Sequence, residues 1–206
     1  MGLSQEAHDA GQEVASAAGA TLPETLNRVL ERFLGWPYRV TSACVVDQDG
    51  TRTERFVSVA YVTSEGAAAP ESTAIPADAV AAVIDSCESL NLDGFRAAYS
   101  RIAQAKRLRK GAAPHPGVPW STTVTLGIIF ALRSELPLDD LAEELNRLNA
   151  GKPGGEWPNM VVVASTGVID YAVQFPGESL SADFLIPAEG EITGPAPPMY
   201  IGFVKK

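Results

Sequence analysis

Histidine and cysteine are almost missing from this chain: 206 residues hold two of each. Cys44 and Cys87 are too few for a structural zinc site, and neither His8 nor His115 stands at ligand spacing from them. A Ser–His–Asp triad would need one of those histidines, and His115 lies between two prolines with no partner near it in sequence. Asp47-Gln48-Asp49-Gly50 resembles the start of a calcium loop, but the closing glutamate is absent, so it reads as a turn. There is also no GxGxxG, P-loop, GxSxG or HExxH. The expectation is therefore no resident metal and no nucleotide cofactor. No apolar run approaches the roughly 20 residues of a membrane helix, and the first 20 residues carry no apolar signal core. These absences predict a cytoplasmic protein with no membrane partner, its two cysteines reduced.

What is present is a globular composition, 46% hydrophobic and 20% charged, with a formal charge of −9. Such acidity works against tight non-specific binding of nucleic acid, which runs on neutralising phosphates. Residues 4–18 form an alanine-rich, weakly amphipathic helix, with 1–20 as an appendage. Residues 21–206 then read as a single α/β domain with a proline-rich C-terminal tail.

Thr21, Pro23 and Glu24 open a stronger helix, with Leu22, Leu26, Val29, Leu30, Phe33 and Leu34 at helical spacing. Tyr38 to Val46 and Phe56 to Thr63 predict a hairpin, followed by a surface loop over 64–76. Ala79 to Cys87 predicts a buried strand and Leu92 to Lys110 a helix. Residues 111–120 read as a proline-rich connector. Thr122 to Leu132 predicts a strand, and a helix bearing Leu138, Leu141, Leu145 and Leu148 on one face follows it. Strands over Met160 to Ala164 and Val168 to Phe175 come next, with edge strands in the tail. Hairpins demand antiparallel pairs, and the strand–helix–strand unit demands a parallel one, so the expected architecture is a mixed β-sheet flanked by helices.

Four stretches carry a resemblance. They are the helix followed by P-Y-R-V and V-V-D-Q-D-G-T-R-T; A-A-V-I-D-S-C-E-S-L-N-L-D-G-F before the helix ending K-R-L-R-K; G-I-I-F-A with L-D-D-L-A-E-E-L-N-R-L-N; and P-N-M-V-V-V with G-V-I-D-Y. Together they resemble an uncharacterised bacterial domain family that looks like the restriction-endonuclease-like PD-(D/E)xK nucleases. That resemblance implies an aspartate on one strand and an acid on the next to hold Mg²⁺, with a lysine two residues beyond to position the attacking water. Here Ser58 stands at the first position, Asp85 at the second and Cys87 at the lysine position. A hydroxyl is a weak magnesium ligand, and a thiol cannot replace an ammonium. Cys87 itself has no neighbouring histidine to activate it and reads as a small buried hydrophobe.

These substitutions imply a pseudo-nuclease that binds nucleic acid or a protein, not an enzyme. Arg96, Arg101, Lys106, Arg107, Arg109 and Lys110 are the candidate binding residues, although cations at a helix end also suit its dipole. One alternative is a divergent Mg²⁺-dependent nuclease of phage defence, with a migrated carboxylate (Glu24, Glu31, Glu54, Glu65 or Glu88) or Lys106 completing the site. Another is an assembly protein docking through the alanine-rich start and through Tyr200, Ile201 and Phe203. A homo-oligomer belongs among the expected partners.

Overall fold

The computed structural model describes residues 21–35, 37–63, 74–111, 124–172, 181–187 and 200–201. The expected N-terminal helix over 4–18, together with His8, Glu65, His115 and Phe203, lies outside these residues.

Helix α1 spans Leu22–Leu34. Its start follows the capping pattern: the Glu24 carboxylate accepts the Thr21 N–H at 3.2 Å. It ends at Gly35, whose φ of 61° lies in the region that side chains disfavour. Strands β1 (Tyr38–Val46) and β2 (Phe56–Val62) pair antiparallel, as the hairpin pattern predicts. In the turn that joins them, the Asp47 carboxylate accepts the N–H groups of Asp49 and Thr51.

The expected loop over 64–76 ends differently. Ala74–Pro76 is a short strand, β3, parallel to β1 at the sheet edge. Three residues ending in proline carry too little periodicity to read as a strand. Then follow β4 (Val80–Leu90), α2 (Leu92–Arg107), β5 (Leu126–Ser134), α3 (Leu138–Asn149), β6 (Met160–Val163), β7 (Gly167–Ala172), β8 (Ser181–Pro187) and β9 (Tyr200–Ile201). The Asn91 side chain caps α2 by accepting the Gly94 N–H at 2.8 Å.

The strands form one nine-stranded mixed sheet in the order β3-β1-β2-β4-β5-β6-β7-β8, with β9 also on β7. The β4-β5-β6 centre is parallel and its flanks are antiparallel, apart from the parallel β3 edge. Two apolar layers sandwich it. On one face Leu22, Leu26 and Val29 of α1 cover Ala60, Ile84 and Phe130. On the other, Phe95, Tyr99 and Ile102 of α2 and Leu141 and Leu145 of α3 join a larger core with Val83, Ile129 and Val161. Contact between α2 and β5 is closest at Gly127, where a Cβ would come within 2.2 Å of Ile102 Cγ2. No helix among the described residues is long and apolar enough to cross a membrane.

Candidate functional site

The sheet forks between β2 and β4. Their pairing runs from Tyr61 and Val80 to Ser58 and Ile84. Beyond that point β2 stays with β1, through Phe56 and Ala43, while β4 stays with β5 as far as Leu90 and Ser134. Asp85 is the first β4 residue past the last β2 pair. A fork of this kind leaves edge N–H and C=O groups open, and it is where the three motif positions fall.

They do not converge there. Successive strand residues point to opposite faces. Ser58 is paired with Ile84 and shares its face, beneath α1. It is fully buried, and its hydroxyl donates to Asn27 Oδ1 of α1 at 2.5 Å. Asn27 Nδ2 in turn donates to the Val57 carbonyl at 3.1 Å. Asp85 points the other way, where Arg101 Nε of α2 donates to its Oδ2 at 2.5 Å. Cys87, two residues on, packs against the α2-side core. The expected grouping of Ser58, Asp85 and Cys87 is thus corrected: the strand pleat unites Asp85 with Cys87 and sends Ser58 through the sheet.

Charge at Asp85 is already balanced. The Asp85 side chain is 14% exposed and that of Arg101 36%. Its hydrogen bond to Asp85, helped by the fields of Asp85, Glu54 and Cys87, holds the Arg101 guanidinium above its ordinary pKa. Burial and then the Asp85 charge push the Cys87 thiol up, with Arg101 opposing them. A thiol held protonated is a poor nucleophile. Of the migrated acids considered, Glu54 is close enough for its charge to act on Arg101, Glu24 is engaged in the α1 cap, Glu31 accepts the Val40 N–H at 3.3 Å, and Glu88 is exposed on β4.

Magnesium does not fit this arrangement. A hard divalent ion needs several oxygen ligands converging, and Asp85 Oδ2 is taken up by the Arg101 guanidinium. Among the described residues no three His, Cys, Asp or Glu side chains gather as metal ligands.

The six candidate binding cations lie along α2 and just past it, and each has a partner within the chain. Arg96 pairs with Glu144 at 2.7 Å, Arg101 with Asp85, Arg107 with Glu156 at 3.0 Å and Arg109 with Asp49 at 3.2 Å. Lys106 Nζ donates to Asn159 Oδ1 at 2.6 Å, and Lys110 Nζ to the Val80 carbonyl at 2.5 Å. Burial pushes both ammonium groups down to about 8, opposed at Lys110 by Asp78. Sequence reasoning missed Asn27 and Asn159. The only sequence signal for Asn27 is an amide between Leu26 and Val29 on a helix that otherwise turns leucines inward.

No protein-family model matches this chain, and no curated protein matches it. Solved structures do. NucC of E. coli MS115-1 in its cAAA-bound form is 18% identical with a TM-score of 0.65, covering 90% of this chain and 81% of that one. The cAAA-bound NucC of P. aeruginosa ATCC27853 is 19% identical with a TM-score of 0.65, over 90% of this chain and 82% of that one. The apo form of the E. coli protein is 20% identical with a TM-score of 0.62, over 87% and 81%.

This chain has the restriction-endonuclease-like fold. The likeness covers 87–90% of this chain, so the resemblance read from the four sequence stretches holds at the level of architecture. At such identity it fixes the scaffold, while chemistry is decided by the side chains at the fork.

Proposed function

We propose that this chain is a nuclease-fold protein of phage defence that binds without cleaving. The observation that carries this reading is the Asp85–Arg101 pair: the one motif acid in place is neutralised by an arginine of its own chain. The likeness to NucC supports the nuclease fold and the setting. Among partners, a protein, including a second copy of this chain, suits the surface better than nucleic acid. The formal charge is −9, and the cations of α2 are spent on internal acceptors.

A second reading is a divergent Mg²⁺-dependent nuclease, favoured by the NucC likeness and by Glu54 acting on the same arginine as Asp85. One experiment separates the two. The full chain and D85A are incubated with single- and double-stranded DNA and RNA in Mg²⁺ or Mn²⁺, and light scattering records the oligomeric state. The binding reading expects no cleavage above the D85A background. Cleavage by the wild type that D85A abolishes would establish the nuclease instead.

A further inference from the structure

Lys106 is a half-buried ammonium that no acid among the described residues compensates. It sits on the last turn of α2, where that helix comes closest to β5: its stem lies against Gly127, within 3.3 Å of where a Cβ would be. Its hydrogen-bond acceptor among the described residues is a neutral amide oxygen, Asn159 Oδ1, which also receives the Gly127 N–H at 2.9 Å. The Asn159 N–H returns to the Gly127 carbonyl at 2.6 Å, so Asn159 is clamped between the starts of β5 and β6. The other cations at the end of α2 and just past it are engaged elsewhere. Arg107 holds Glu156, and Lys110 bonds the Val80 carbonyl with Asp78 nearby.

We propose that Lys106 is a selective acylation site, whose amine, held by Asn159 and facing no carboxylate among the described residues, takes the acyl group of an activated acyl donor. An isolated buried ammonium sheds its proton readily, because the charged form loses hydration and gains no counter-charge. Burial accordingly pushes Lys106 down to about 8. The neutral amine keeps one N–H on Asn159 and leaves its lone pair without a donor among the described residues. Its nitrogen adds to the carbonyl carbon of a thioester, the C–S bond breaks, the thiolate leaves with the electron pair, and the amine's surplus proton passes to water. The amide that results still carries an N–H for Asn159 Oδ1, and a charge that was costly to bury is gone. The modification does not depend on what Asp85 does at the fork.

The chain has five lysines, at 106, 110, 152, 205 and 206, so peptide mapping resolves each. The full chain is incubated with acetyl-CoA or acetyl phosphate at pH 7.5, and acetylation of each lysine is timed by mass spectrometry. Lys106 is expected to react about 10-fold faster than Lys152, because burial raises its own neutral fraction. Its rate should level off near pH 8–9. N159D, which places a carboxylate on the amine, should slow Lys106 several-fold and leave Lys152 unchanged. A Lys106 rate equal to or below that of Lys152 in the wild type overturns the proposal without recourse to any variant. So does a folded N159D with an unchanged Lys106 rate.

Discussion

Ser58 and Asp85 lie on adjoining strands, one position out of register, and their side chains leave the sheet on opposite faces. The hydroxyl belongs to the α1 interface and the carboxylate to the α2 interface. Restoring an acid at residue 58 therefore does not rebuild a metal clamp. S58D would place a carboxylate in a fully buried position against Asn27. It should lower stability by on the order of 3 kcal/mol and confer no Mn²⁺ affinity. Urea unfolding and manganese titration by electron paramagnetic resonance read both outcomes, and tight Mn²⁺ binding to S58D would show that the two positions do converge.

The two ends of the Asp85–Arg101 pair differ in exposure, and so should their variants. Without Asp85, the more exposed Arg101 hydrates. Without Arg101, a carboxylate only 14% exposed is left uncompensated. R101A should cost more stability than D85A, and a double-mutant cycle should return a coupling of about 1 kcal/mol, reduced from a fully buried pair by solvent screening. Equal costs with no coupling would mean that the pair is decorative.

Acid should loosen the contact between α2 and α3. Arg147 first, then Arg96, hydrogen-bond Glu144 and hold its carboxyl down at about 2. Its pKa lies below that of an unfolded glutamate, so the stabilisation is complete above about pH 4.5 and disappears as pH falls toward 2. Thermal melts across this window should show a shallower loss in E144Q than in the wild type.

Lys106 has the opposite sign. Its folded pKa lies below the free value, so the charged form costs stability at neutral pH, and that cost fades as pH rises from about 8 to 10.5. K106M, which keeps the stem over Gly127, should match or exceed the wild type by roughly 1 kcal/mol at pH 7. It should also lack part of the alkaline gain. Chemical denaturation at pH 7 and pH 10 tests both statements.

At Gly127 a methyl group would meet Ile102 Cγ2 at 2.2 Å. G127A should cost about 1–3 kcal/mol by forcing α2 off β5. I102A, which makes room, should recover part of the loss in the double variant, as comparison of unfolding midpoints would reveal.

Much of this molecule could be read from its residues. Leu22, Leu26 and Val29 recur at the helical period, and Tyr38 to Val46 is rich in β-branched and aromatic residues. Both elements stand where those local patterns put them, because amphipathic period and turn chemistry are properties of neighbours in the chain. Strand β3 was hidden, since its only support is pairing with β1 some thirty residues away. The cations of α2 looked like a binding face because Glu144, Glu156 and Asn159, which hold three of them, lie about fifty positions downstream.

Residue patterning alone reveals the mixed sheet between helices and the residue types at the motif positions: hydroxyl, acid and thiol. Folding in three dimensions sends the hydroxyl to one face and the acid to the other, and brings the acid to Arg101. Side-chain direction along a strand alternates with every residue, so a register set by bulges and cross-strand pairing, which no local pattern encodes, determines which groups can touch.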